Sequence, residues 1–165
     1  MPVDVTHILK GVGWYPQRRV DLPPSLVKEC PPEHPALAIL SNFGGLHVGS
    51  SGSGIECARS DVRFVWLGHD FDDNIAPWEA LLLTKLVGVG EVHNHHTGLY
   101  VAQDGRCFGL SLIHDAFSFE GVNIGEALQR FLDGMRSRPM LRPDQEEVDL
   151  YGMAFSRHSP EIYKY

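Results

Sequence analysis

Leu99-Tyr100-Val101-Ala102-Gln103-Asp104-Gly105-Arg106-Cys107-Phe108-Gly109-Leu110 holds two short apolar runs on either side of Asp104-Gly105. Glycine supplies the positive φ of a tight turn, so this stretch predicts a β-hairpin. Outward from it the period changes. Upstream, residues from about Ile75 to Leu86 read as a helix capped by Asn74 or Asp73, with Pro77 in its first turn and Gly88 and Gly90 ending it. Downstream, Ile124, Ala127, Leu128, Phe131 and Leu132 share one face of a helix that starts at Asn123 and stops at Gly134. Further upstream, Ala36, Leu37, Ile39, Leu40 and Phe43 recur at helical spacing. Gly44-Gly45 stops that helix, because glycine adopts the left-handed conformation that closes one. Pro23-Pro24-Ser25 starts a short helix over Leu26 to Glu29, and Gly11 to Pro16 reads as extended chain. Leu46-His47-Val48 and Ile55-Glu56-Cys57-Ala58 bracket a flexible Gly49-Ser50-Ser51-Gly52-Ser53-Gly54 loop as a second hairpin, extended or followed by Arg63 to Trp66. Helices and short strands intersperse without βαβ spacing, which predicts an α+β domain.

The chain has 165 residues, the size of one domain with its own core. Hydrophobic residues are 43% and charged residues 21%, which excludes a disordered tail, a collagen-like repeat and a coiled-coil rod. No apolar run approaches the roughly 18 residues of a membrane helix. Met1 to His7 lacks the basic and apolar blocks of a secretory signal, so a cytoplasmic location is expected. The three cysteines, Cys30, Cys57 and Cys107, are far apart and odd in number, as expected of free thiols rather than a disulfide framework. The net charge of −7 argues against direct nucleic-acid binding, since phosphate contacts need a basic stripe. Acid concentrates between residues 31 and 75, where six acidic groups, among them Asp70, Asp72 and Asp73, face two basic ones.

Nine histidines invite an enzyme reading, because Glu91-Val92-His93-Asn94-His95-His96 packs three into four positions. In a strand, His93 and His95 would share a face and could hold a metal with Cys57, Cys107 or His114. The sequence lacks His-Glu-x-x-His and the zinc-deaminase signature, so no metal is expected and the run reads as a solvated loop. Gly11-x-Gly13 and Gly88-x-Gly90 open no phosphate loop, and the Gly/Ser run lacks the spacing of a nucleophile elbow. No cofactor site is indicated.

The pieces in order resemble a known family. They are Trp14-Tyr15-Pro16-Gln17-Arg18-Arg19, Ala38-Ile39-Leu40-Ser41-Asn42-Phe43-Gly44-Gly45-Leu46, Val89-Gly90-Glu91, Leu99 to Arg106 around Asp104-Gly105, and Gly125-Glu126-Ala127-Leu128 through Leu132-x-Gly134. Together they are similar to the SUKH superfamily, and most to its third subgroup of bacterial toxin-immunity proteins. The resemblance implies an α+β domain over residues 1–135, with a mixed, largely antiparallel sheet and flanking helices. Residues 136–165 then form a tail, wrapping or extended. It also implies a non-catalytic protein that neutralises a cognate toxin, such as a nuclease or deaminase, by direct contact. The alternatives are a scaffold or regulatory interaction domain and a metal-dependent enzyme using His93 to His96. A basic toxin would be steered to Asp70, Asp72 and Asp73, with Trp66 or Trp78 as an apolar anchor. Phe43 and Gly44-Gly45 are expected to close a buried helix onto the first strand, with positive φ at the glycine step and Trp14 at least partly buried.

Overall fold

The computed structural model describes residues 2–165. Its helices are α1 (Val5–Gly11), α2 (Pro24–Glu29), α3 (Pro35–Phe43), α4 (Asp72–Leu82) and α5 (Ile124–Asp133). Its strands are β1 (His47–Val48), β2 (Val62–Phe64), β3 (Val87–Val92), β4 (Thr97–Val101), β5 (Cys107–Ser111), β6 (Phe117–Gly121), β7 (Arg138–Met140), β8 (Glu147–Leu150) and β9 (Met153–Ser156). Strands β1 to β7 form one sheet in sequence order, and β8 and β9 pair separately. Every pairing between these strands is antiparallel. The fold is α+β, and its sheet is a meander.

Apolar residues line both faces of this sheet, so both must be covered. On one face Val89, Leu99, Val101 and Cys107 pack with Ile39 and Leu40 of α3 and with Leu128, Phe131 and Leu132 of α5. On the other, Tyr100, Phe108, Leu110, Phe117, Phe119 and Met140 pack with Ile75 and Trp78 of α4. A smaller cluster of Ala116, Leu141, Val148, Phe155 and Ile162 holds the β8–β9 hairpin down.

Helix α5 follows its local signals. Asn123 caps it by accepting from the Glu126 amide at 2.9 Å, and Gly134 ends it at φ 72°. The hairpin around Asp104-Gly105 forms β4 and β5, with Gly105 at φ 93°. Helix α4 differs from expectation. It starts at Asp72 after Phe71, which makes no side-chain cap bond, so neither Asn74 nor Asp73 is the cap. Pro77 therefore lies inside the helix, and Leu83 at φ 53° ends it. Gly88 and Gly90 belong to β3, where a Cβ on Gly90 would stand 2.8 Å from the Arg63 carbonyl. Gly90 permits close strand approach and Gly88 leaves room for the Leu67 side chain, and neither stops the helix.

The second hairpin does not form as expected, since β1 pairs with β2. The Gly/Ser run and Ile55 to Ser60 instead dock on the end of α5. The amides of Ile55, Glu56 and Ser60 donate to the carbonyls of Asp133, Gly134 and Phe131 at 2.9, 2.8 and 3.0 Å. A helix end leaves its last carbonyls without intrahelical partners, and this loop supplies the donors. Gly54 and Gly134 allow the approach, since a Cβ on either would lie 2.6 Å from the other's Cα. Helix α1, capped by Asp4, precedes the opening segment and had no counterpart in the sequence reading.

Residues after 135 are folded against the rest. Strand β7 pairs with β6, and the Tyr163 amide bonds the Pro139 carbonyl at 2.8 Å. The Tyr163 ring stacks on Phe119 of β6 with centroids 4.2 Å apart.

Candidate functional site

The motif at residues 14–19 and the Gly44-Gly45 step meet at the C-terminal end of α3. Trp14 is half-buried and stacks on Phe43 (6.3 Å), which stacks on Phe64 of β2 (5.1 Å). The Arg18 guanidinium donates to the carbonyls of Asn42 and Gly44 at 2.8 and 3.0 Å, satisfying the helix end. Gly45 has φ +83°, as a left-handed closure requires, but Gly44 has φ −49°. Gly44 is needed for space instead, because a Cβ there would stand 2.4 Å from the Leu40 carbonyl oxygen.

From β2 the chain runs through Val65 to Phe71 into α4. Val65 and Leu67 donate to the carbonyls of Val89 and Gly88, which holds half-buried Trp66 between them at the side of the sheet. Asp70, Asp72 and Asp73 follow, all exposed. Two of them lie in the first turn of α4, where unpaired amides favour negative charge. His69 bonds Asp72 through Nδ1 (2.8 Å) and Glu29 of α2 through Nε2 (2.6 Å). These carboxylates, Asp72 foremost, hold its imidazolium form to higher pH than usual. Among the described residues, Asp70 and Asp73 form no ion pair. Burial, and after it the charges of Asp72 and Asp70, raise the pKa of Tyr100.

Two clefts flank this acidic turn. One, of about 460 Å³, has Leu22, Pro23, Leu40, Phe64 and Val65 in its walls and Trp66 at its side. The other, of about 560 Å³, lies between Phe71, Asp73 and Pro77 of the α4 region and Leu112 to Asp115. Ile113 is 62% exposed at its edge. The acidic group and Trp66 thus lie between an apolar cleft and one whose walls also carry His114, Asp115 and Arg142.

Trp78 is not part of that surface. It is 2% exposed, stacks on Phe117 at 4.5 Å and meets Tyr165 edge-on. Its place on the inner face of α4 makes it core, because the sheet needs a large apolar cover there.

The histidine run is a turn rather than a strand. His93, Asn94 and His95 all have positive φ, of 54°, 52° and 70°. His93 Nδ1 meets the Ser60 hydroxyl at 2.5 Å, while His95 bonds Glu91. Burial lowers the pKa of His93. No three His, Cys, Asp or Glu side chains gather with metal-binding geometry among the described residues. Cys30, Cys57 and Cys107 are free, and burial pushes the Cys107 thiol up to about 12. No described helix is long and apolar enough to cross a membrane.

One polar group escaped the sequence reading. Strand β6, Phe117-Ser118-Phe119-Glu120-Gly121, turns Ser118 and Glu120 inward, and Glu120 is 3% exposed. Its alternation signals a strand with one polar face, but only the topology shows that this face is covered.

Comparison with known proteins adds one match. The model of a protein family described as SUKH-3 immunity protein matches residues 1–134. No curated protein and no solved structure matches the chain with statistical significance.

Proposed function

The chain belongs to the SUKH-3 immunity protein family, and on that premise we propose that it neutralises a cognate toxin by direct, non-catalytic contact in the cytoplasm. The observation that carries the choice of surface is the exposed acidic turn Asp70, Asp72 and Asp73 beside Trp66, with an apolar cleft on one flank and a cleft of mixed walls on the other. Among the described residues two of these carboxylates, Asp70 and Asp73, form no ion pair, so their field is open to a partner. A toxin that processes nucleic acid carries a basic substrate groove, and such a groove complements this turn. Opposite fields raise the encounter rate, while desolvated apolar contacts slow release. Trp66 and the cleft walls supply that second part. The charge of −7 fits a protein that meets the basic toxin and not the nucleic acid itself.

The test is association kinetics with the toxin domain encoded by the adjacent gene. Replacing Asp70, Asp72 and Asp73 together by Asn slows association and flattens its salt dependence. Replacing Trp66 by Ala speeds dissociation. A triple variant that associates at the wild-type rate at low salt removes this face as the encounter surface. Failure of the wild-type pair to associate at all removes the immunity reading.

A further inference from the structure

On the sheet face that packs against α5, strands β4 to β6 bury Leu99, Val101 and Cys107 at one end. At the other end the same face turns polar, with Thr97, Ser111, Ser118 and Glu120 lining a pocket of about 210 Å³. Three features make this a built pocket. The register of β5 and β6 shifts here: Phe119 pairs with Phe108 but Gly121 pairs with Cys107, which leaves Glu120 as an extra residue. Bulges of this kind re-aim a side chain and are common beside functional sites. Gly109 opposite lacks the Cβ that would stand 2.5 Å from Glu120 Oε1 and 3.1 Å from Ser118 Oγ. Finally, the two carboxylate oxygens of Glu120 each accept from a serine hydroxyl, Ser118 at 2.6 Å and Ser137 at 2.7 Å.

Those bonds fix the carboxyl group, and burial raises its pKa above the ordinary carboxylate value. No ion pair among the described residues includes Glu120. Arg130 is the nearby cation, yet its Nη2 donates to the Arg136 carbonyl and its Nε has no partner. Ionising a buried carboxyl without a paired cation is costly, and a cation that enters and pairs with it favours the ionised form. His93, His96 and His114 stand around the mouth, and Tyr151 lies across it with its hydroxyl accepting from the Ser137 amide at 2.6 Å. Exposed Ile113 forms a lip that this pocket shares with the larger cleft beside Asp73.

We propose that this pocket binds an alkylguanidinium or alkylammonium group, which pairs with Glu120. The apolar stem of such a group lies along Ile113 and Tyr151 while its head reaches the carboxylate. The group comes either from an arginine or lysine of a protein bound on the acidic side or from a free small amine. Only the first source rests on the toxin-binding reading.

The probe is ethylguanidinium, with ethylurea as its uncharged counterpart, titrated into the intact protein and followed by amide NMR. Ethylguanidinium shifts the amides of Gly109, Ser118, Glu120 and Ser137 saturably, and ethylurea binds at least roughly tenfold more weakly. Glu120→Gln keeps the shape, removes the charge and abolishes the preference. Equal binding of the two probes to the wild type, or no shift at these amides, overturns the proposal whether or not the variant folds. The adjacent-gene toxin domain separates the sources. Saturating ethylguanidinium that weakens its complex assigns the pocket to a partner side chain. Saturation without such an effect assigns it to a free cation. A failed toxin complex leaves the probe titration intact, so the two readings fail separately.

Discussion

His69 shows what a single side chain does on the acidic turn. It bridges Asp72 and Glu29 at 2.8 and 2.6 Å, joining the start of α4 to α2. The two carboxylates, Asp72 first, raise its pKa in the folded state. A raised pKa means that folding favours the protonated form. The stabilisation is therefore fully present below the unfolded value near about 6.5 and is lost as the pH rises through the folded value. A proton NMR titration of His69 should give a midpoint above that of a free histidine, and Asp72→Asn should lower it. His69→Asn should lower the melting temperature at about pH 5.5 and leave it nearly unchanged at about pH 8.5. The opposite pH order would mean that the bridge does not form in solution.

At the scale of elements, the end of α3 separates two uses of glycine. Gly45 sits at φ +83° with open space around its Cβ position, so alanine there meets only conformational strain, about 1 kcal/mol. Gly44 sits at φ −49°, which any residue adopts, but its Cβ would press on the Leu40 carbonyl at 2.4 Å. That carbonyl accepts the Gly44 amide at 2.8 Å, so relief of the clash breaks the helix closure. Gly44→Ala should cost about 2 kcal/mol in denaturant unfolding, more than Gly45→Ala. The reverse order would assign the step to backbone conformation alone. Helix α5 was legible because its signals are local: a capping Asn123, an apolar stripe and Gly134. Helix α4 was shifted because Asp73 and Asn74 look like caps, while its start follows a turn in which the Asp72 amide bonds the His69 carbonyl and Phe71 packs against the core.

For the whole molecule, the question is what residues 136–165 contribute. They bring the outer strand β7, the β8–β9 hairpin, and Tyr163 stacked on Phe119. Tyr165 closes over Trp78 and bonds the Leu141 carbonyl at 2.8 Å. A chain ending at residue 135 exposes Phe117, Phe119 and Trp78 and leaves β6 as an unpaired edge. Such a chain should lose its cooperative thermal transition or melt well below the full chain, as followed by circular dichroism. An unchanged melt would make the segment an appendage. The last strand would then be dispensable to the sheet.

The sequence by itself determined the parts that depend on neighbours a few residues away. These are the Asp104-Gly105 hairpin, the presence of the three principal helices though not the bounds of α4, the α+β class, and an acidic turn at Asp70, Asp72 and Asp73 next to Trp66. Capping, turn chemistry and helical period act over short range, so one stretch of chain holds the whole signal. Tertiary structure alone decided which of two tryptophans is fully buried, since Trp66 and Trp78 differ in what packs on them and not in local pattern. It also decided that the Gly/Ser run docks on α5, that His93 and His95 diverge, and that Glu120 turns inward over Gly109. All but the place of His95, which bonds nearby Glu91, depend on a partner farther along the chain, brought close by the meander and by one shifted register.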